Sequence, residues 1–267
     1  MIAIVTGASS GIGYQVCLQL LEKGYTVYGI SRRGTVPEAD TAKYPSVRCI
    51  GIAADVTDTE AITQAVADVA AKEGQIDLLV ANAGMGISGP IEFTEADAAQ
   101  KIMNVNFFGA FYAAKAVLPY MRERRQGTIV FTSSVAAPIA IPYQAFYSAT
   151  KSAINSLALA LRNEVRDFNI RVSAVMPGDS GTGFTDAREK DASGNAAYPR
   201  CEAAVAAMER DERGGIPPAK VAAVIVRAAT KKHPAPLYVA GFKYRLLLAL
   251  YNLLPARTAV WLVGKFY

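Results

Sequence analysis

The stretch FYSATKSAIN at residues 146–155 sets Tyr147 and Lys151 four positions apart. In a helix that spacing puts both side chains on one face. A free tyrosine has a pKa of roughly 10 and is a poor acid–base group near neutrality. An ammonium alongside favours the phenolate and lowers that value, which would make Tyr147 a usable proton donor and acceptor. The bland alternative is a packing tyrosine followed by a solvated lysine, and the pair alone does not decide between them. Other polar residues with chemical potential stand in apolar surroundings. Ser133 and Ser134 end the run TIVFTSS, and Asn106 lies in a helical pattern, where asparagine has modest propensity and needs a reason to be present. Near the start, TGASSGIG (6–13) has glycines at 7, 11 and 13 that can turn tightly and bring backbone N–H groups to an anion at a helix N-terminus.

The elements able to position these residues follow from the alternation of short β-branched runs with longer helical patterns. Strands are expected at 2–5, 26–31, 47–53, 76–81, 128–133, 171–177 and 237–240, and helices at about 11–23, 58–73, 95–124, 148–168 and 218–230. Several of the strands are continuously apolar, as doubly buried parallel strands must be. The expected fold is therefore α/β: a single-domain, Rossmann-like, doubly wound parallel sheet of about seven strands with helices on both faces. Residues 1–241 make up this domain. Within it, 179–216 is a charged, glycine-containing insertion after a strand's C-terminal end, where ligands bind in such sheets. Residues 242–267, FKYRLLLALYNLLPARTAVWLVGKFY, form two short apolar helical patterns split at Pro255, a C-terminal helical tail of the same domain.

The glycine spacing is G-x-x-x-G-x-G, and with TGASSGIG the chain also carries DV (55–56), NAG (82–84), VN (105–106), SS (133–134), YSATK (147–151) and PGDSGT (177–182). In this order and spacing they resemble the short-chain dehydrogenase/reductase family over nearly the whole chain. The resemblance implies a catalytic tetrad. Tyr147 passes a proton to or from the substrate oxygen, and Ser134 hydrogen-bonds that oxygen. Lys151 tunes the tyrosine and holds the nicotinamide ribose, and Asn106 holds a water in a relay to the lysine. Ser133 is read as structural. The implied dinucleotide-binding residues are Gly7, Ser9, Ser10, Gly11, Ile12, Gly13, Ser31, Arg32, Arg33, Asp55, Val56, Asn82, Ala83, Gly84, Tyr147, Lys151, Pro177, Gly178 and Thr182. Asp55 would accept from the adenine amine beside Val56, though DVTDTEA also reads as a helix start with Asp55 as its cap. Asn82 would brace the central strand ends, and Thr182 would reach the nicotinamide carboxamide.

Cofactor choice is expected from YGISRRG. Where a carboxylate would accept the ribose hydroxyls of NAD, this chain has Ser31 followed by Arg32 and Arg33. Guanidinium groups suit the additional phosphate of NADP, so NADP(H) is expected over NAD(H), with Arg32 ahead of Arg33. NAGMGISGPIE, TSSVAAPIAIPYQAFYSATK and GTGFT look closest to the branch with 17β-hydroxysteroid and retinol dehydrogenases. On that resemblance Met85, Val135, Ala136, Pro142, Tyr143 and Phe184 line an apolar cleft beside Ser134 and Tyr147, although any of them could be core. The implied activity is NADPH-dependent reduction of a lipophilic ketone or aldehyde, with the 179–216 insertion as a mobile lid. A 3-oxoacyl thioester reductase shares these motifs, but such enzymes typically end soon after the last strand. A non-catalytic NADP sensor is the alternative outside enzymes. The tail is read first as helices packed on the domain or a partner subunit, and second as a membrane-surface or lipid-entry element.

Composition narrows the classes further. With 267 residues, 52% hydrophobic and 19% charged, the chain can bury a large core. Its net charge of +5 is mild and spread along the sequence, which argues against nucleic acid as a partner. Three scattered cysteines and a single histidine offer no metal-ligand spacing, so no metal is expected. Reduced cysteines, no secretory pattern and no apolar run of membrane-span length suggest a cytoplasmic protein. Assembly as a homodimer or homotetramer through the helices at 95–124 and 147–168 is implied by the family.

Overall fold

The computed structural model describes residues 1–37, 47–194 and 196–266; residue 195 of the insertion and residue 267 of the tail lie outside the described residues. The apolar runs form β1 (Ile2–Thr6), β2 (Thr26–Ser31), β3 (Cys49–Ala53), β4 (Leu78–Ala81), β5 (Ile87–Ser88), β6 (Gly127–Thr132), β7 (Ile170–Pro177), β8 (Glu189–Lys190) and β9 (Leu237–Ala240). The helices are α1 (Gly11–Leu21), α2 (Thr59–Glu73), α3 (Ala96–Met103), α4 (Gly109–Arg124), α5 (Ala145–Glu164), α6 (Cys201–Arg213), α7 (Pro218–Thr230), α8 (Phe242–Leu253) and α9 (Ala256–Phe266). Seven strands join in the order β3-β2-β1-β4-β6-β7-β9, and each neighbouring pair is parallel. The chain winds outward from β1 in one direction, then returns through β4 in the other. The carboxyl ends of β1 and β4 therefore flank the crevice where ligands bind in such sheets.

Strands β1, β2, β4 and β6 are buried along their whole length because helices cover both faces. One core layer packs Val66, Val117, Met121, Ile154 and Leu161 of α2, α4 and α5 on Ile4, Leu79, Ile129 and Phe131. The opposite layer packs Val16, Leu20, Val221 and Ile225 of α1 and α7 on Val5, Val27, Val80 and Val175. A third, smaller cluster seats Leu248 of the tail on Ile139 and Met176, with Val135, Val239, Tyr251 and Val263 around it. This is the expected doubly wound domain with its helical tail.

Three local features differ from the sequence reading. The long pattern at 95–124 is interrupted: between α3 and α4, residues Asn104–Phe108 form a turn of π-helix. The apolar periodicity runs through the turn, so the sequence carries no sign of the change in winding. The insertion is more ordered than a glycine-containing loop, since it holds β8, paired in parallel with β5, and the whole of α6. The third concerns the helix cap. Asp58, not Asp55, caps α2 by accepting from Ala61 N at 3.0 Å. Asp55 instead accepts from the backbone and side chain of Thr57 at 2.9 and 2.8 Å, closing a turn just before the helix.

Asp58→Ala should therefore cost about 1 kcal/mol of stability. The expected readout is a lower urea midpoint at unchanged slope; an unshifted midpoint would show that the cap contributes nothing.

Candidate active site

The glycine turn is built by close approach. At Gly7 (φ +68°) an added Cβ would lie 2.8 Å from Ala83 Cα, and at Gly13 it would lie 2.2 Å from the Gly7 carbonyl oxygen. Only glycine lets α1 start this close to the ends of β1 and β4. Asn82 locks the junction. Its amide nitrogen donates to Thr6 O at 3.2 Å, and Asn82 N and Ala83 N both donate to Thr6 Oγ1, at 3.0 and 3.1 Å. Ser10 stands at the helix N-cap, and its side chain makes no capping bond. Thr182 lies over the turn, with its side-chain carbons 3.4 Å from where a Gly11 Cβ would sit.

Beside the turn, Ser31 closes β2 with a buried hydroxyl that has no hydrogen-bond partner among the described residues. Arg33 reaches back and donates to Ser9 Oγ at 3.0 Å, so Arg33 rather than Arg32 contacts the glycine turn. These features fit a dinucleotide, whose phosphates would face the helix N-terminus, with a hydroxyl and a guanidinium beyond the end of β2. Val56 packs where α4 begins, so close that a Cβ on Gly109 would lie 2.8 Å from its side chain.

The four residues of the expected tetrad come from three places, the π-turn, the loop after β6 and α5, and converge beyond the end of β6. Ser134 follows β6 and its hydroxyl accepts from Ala136 N at 3.1 Å. Its neighbour Ser133 donates to Lys151 O at 3.1 Å, a structural tie between the strand and α5. Tyr147 and Lys151 sit in the first two turns of α5, with Lys151 Nζ 5.7 Å from the tyrosine ring centroid. The lysine is buried and donates to Thr132 O at 2.9 Å. Asn106 is fully enclosed in the π-turn. Its Oδ1 accepts from Met85 N at 2.7 Å, while its Nδ2 donates to Met85 O at 2.9 Å and to Thr150 Oγ1 at 3.2 Å. Thr150 in turn donates to Tyr147 O at 2.7 Å. The asparagine side chain is thus engaged by protein as a clamp between the loop after β4 and α5. A Cβ on Gly84 would lie 3.3 Å from Asn106 Oδ1 and 3.7 Å from Lys151 Nζ, which places all three around one point.

Burial governs ionisation here. Loss of water around the Tyr147 hydroxyl pushes its pKa up to about 12, with the Ser134 hydroxyl pulling the other way and Glu212 adding to the rise. Lys151 is pushed down to about 8 by the same loss of water. The expected lowering of the tyrosine by the lysine is therefore reversed. The ammonium is itself disfavoured where it sits, and its nearest contact is a carbonyl rather than the phenol. At neutral pH the result is a protonated Tyr147, ready as a donor.

The expected cleft residues divide. Phe184 lies on Tyr147 with ring centroids 5.7 Å apart, and Met85 is half-buried beside Asn106. Pro142 and Tyr143 are half-buried just before α5. The Tyr143 backbone is in the left-handed region (φ +60°) and its carbonyl accepts from Gly89 N at 2.9 Å. Ala136 is core, and Val135 packs into the cluster under the tail. The sequence reading missed Arg188 and Glu212. One helical turn, with Ala187 N donating to Gly183 O at 3.1 Å, carries Arg188 beneath Phe184, its guanidinium 6.0 Å from that ring. The Arg188 side chain is 1% exposed and donates to Glu212, itself 14% exposed. Thr185 donates to the same carboxylate at 2.6 Å, and Lys190 pairs with Glu209 at 2.6 Å. The available signal was only an aromatic and an arginine four residues apart in a charged run, which ordinarily means a solvated segment.

Comparison with known proteins places this geometry. The family model described as short chain dehydrogenase matches residues 1–193. The chain belongs to the short-chain dehydrogenase/reductase family, and it is an NAD(P)-dependent oxidoreductase acting on CH–OH/C=O groups. A 3-ketodihydrosphingosine reductase of Bacteroides thetaiotaomicron is 41% identical over 236 residues, 87% of this chain and 85% of that protein. Human retinol dehydrogenase 8 is 35% identical over 189 residues, 68% of this chain and 59% of that protein. Among solved structures, a short-chain dehydrogenase from Streptomyces avermitilis superposes with a TM-score of 0.84 at 33% identity, covering 94% of this chain and 91% of that one. The family and its retinol dehydrogenase-like relatives agree with the resemblance read from the motifs.

Removing one partner of a buried ion pair strands the other charge, at a cost of about 3 kcal/mol or more. Arg188→Ala should loosen the insertion and expose new cleavage sites within 179–216 in limited proteolysis, with the rest of the domain resistant. An unchanged digestion pattern would show that the pair does not hold the insertion in place.

Proposed function

We propose that the protein is an NADPH-dependent reductase of lipophilic ketones or aldehydes, reversible in principle. The observation that carries the reading is the grouping of buried Ser134 and Lys151 with half-buried Tyr147 at the sheet's carboxyl edge, with Phe184 lying on the tyrosine. The glycine turn, Asn82 and Lys151 would hold the dinucleotide, which supplies hydride from its nicotinamide. Ser31 and Arg33 would meet the phosphate that distinguishes NADP from NAD. Ser134 would hold the substrate oxygen and Tyr147, kept protonated by burial, would donate to it as negative charge develops. Lys151 would then favour the phenolate left behind, and the Asn106 clamp fixes the helix that carries both groups. The apolar surroundings of Phe184 and Met85 suit a lipophilic carbonyl compound. The likeness to a 3-ketodihydrosphingosine reductase makes a long-chain ketone the first to try, ahead of a retinoid or steroid. Three cysteines without disulfides fit a reducing, cytoplasmic setting.

The test is NADPH oxidation against 3-ketodihydrosphingosine, retinal, a steroid ketone, a β-ketoacyl thioester and a small diketone, with NADH in parallel. Turnover of the lipophilic carbonyls, reduced about 100-fold or more in Tyr147→Phe, is the expected result. Preference for the thioester would move the protein to acyl chemistry. NADPH binding without turnover of any of them would leave a sensor. Arg33→Ala should raise the KM for NADPH about tenfold and leave that for NADH unchanged; equal changes for the two would remove the arginine from cofactor selection.

The ionisation of Lys151 gives a signed pH prediction. With its pKa near 8, the ammonium is present below that pH and lost above it. Reductive kcat/KM should fall as pH rises through about 8, and Lys151→Arg, whose cation persists, should lose this limb even at a lower rate. A flat profile to pH 10 in the unsubstituted enzyme would contradict the assignment.

A further inference from the structure

Helix α8 is apolar on two sides. Its inner side is accounted for: Tyr244 and Leu248 are buried, and Leu248 and Tyr251 pack in the cluster with Val135, Ile139 and Met176. Tyr244 also donates to Asp179 Oδ2 at 2.6 Å, and Arg200 ties α9 to the start of α6 through Gly264 O at 3.0 Å. The tail is thus anchored on the domain, next to the loop that carries Ser134. Its outer side has no such account. Phe242 is 76% exposed, Leu253 80% and Trp261 59%, with Leu246, Leu250 and Phe266 also open. A run of large apolar side chains this long exceeds the scattered exposure that any soluble surface tolerates.

The charges carried by the tail itself are all of one sign, although Asp179 and Asp211 of the domain lie beside Phe242 and Lys243 at its start. Lys243, Arg245, Arg257 and Lys265 lie in residues 242–267, which contain no aspartate or glutamate. Two of the cations lie along exposed aromatic rings, Arg245 5.8 Å from the Phe242 centroid and Lys265 5.6 Å from that of Trp261. Long cationic side chains on apolar surface are placed to bury their stems and leave their charges at a polar boundary. The two helices, of 12 and 11 residues, are each too short to cross a bilayer, and no helix among the described residues is long and apolar enough to do so. A second copy of the chain on this face would set four cations against four. An anionic lipid surface accepts both the apolar side chains and the charge.

We infer that the outer face of α8 and α9 docks the protein on an anionic membrane surface, lying in the interface rather than spanning it. The inference stands on the tail alone and does not need the reductase reading. Trp261 is the sole tryptophan of the chain, so intrinsic fluorescence reports directly on this face. The full chain would be titrated with vesicles of phosphatidylcholine alone and of phosphatidylcholine mixed with phosphatidylglycerol, with co-sedimentation in parallel. A blue shift of the tryptophan emission and co-sedimentation are expected on the mixed vesicles, on the order of tenfold weaker or more on the neutral ones. Leu250→Glu with Leu253→Glu should abolish both signals. Arg245→Gln with Lys265→Gln should weaken binding to the level seen on neutral vesicles.

Turnover of a water-soluble diketone by the same variants, unchanged, separates this result from any failure of the catalytic proposal. An emission maximum unmoved by either vesicle would overturn the inference, as would equal binding to both. So would an emission already blue without lipid in a chain that sediments as a dimer and is dissociated by the leucine substitutions, which would assign the face to a second copy.

Discussion

A buried ammonium is the constraint around which the rest of the site is organised. Lys151 ends where water is excluded, against the Thr132 carbonyl at the end of β6. Holding a cation there is unfavourable, which is why its pKa falls toward 8. The position is maintained because its neighbours are over-determined. Ser133 ties the lysine's own backbone carbonyl to the strand end, and Asn106 and Thr150 tie the same helix to the loop after β4. The parallel sheet makes this possible, because it brings the ends of β1, β4 and β6 to one edge in register. Any slip of α5 along β6 would break several buried hydrogen bonds together.

The same enclosure explains why the tyrosine behaves opposite to the simple pair argument. A lysine four residues away in water would favour a phenolate. Inside the protein both charged forms lose hydration, and the loss outweighs their attraction until another charge enters the site. Tyr147 therefore rests as a neutral phenol in the free protein. For reduction this is the useful state, since the developing alkoxide needs a proton donor more than a base.

How much of this was legible in the sequence depended on whether the cause was local. Strands and helices announced themselves through apolar periodicity, the glycine turn through its spacing, and the tetrad through the family resemblance that the motifs carry together. What remained hidden was set by tertiary pairing. The π-turn that presents Asn106 leaves the apolar pattern unbroken on either side. The β5–β8 pairing involves two residues in each strand, too few to carry a period. Arg188 sits in DAREKDA, which reads as solvated until Phe184 and Glu212 close around it. Asp55 and Asp58 both suit a helix start by type, and only the backbone geometry assigns the cap to the second. Arg33 gained its place from the way the turn after β2 folds back on Ser9.

The insertion and the tail, which lie furthest from any motif, share one logic. The insertion lays Phe184 on Tyr147, the tail packs its inner apolar face near the loop that carries Ser134, and polar contacts pin both. Phe184 rests on Tyr147 because the Arg188–Glu212 pair holds the segment beneath it, and Arg200 at the start of α6 holds α9. Through Val135 the tail's inner face touches the loop that carries Ser134. A membrane seated on the tail's outer face would therefore lie one helix thickness, about 10 Å, from Val135, the neighbour of Ser134. For a lipophilic carbonyl compound that separation replaces a path through bulk water with a short one along apolar surface. On the proposed function, this gives a physical reason to keep α8 apolar on both sides.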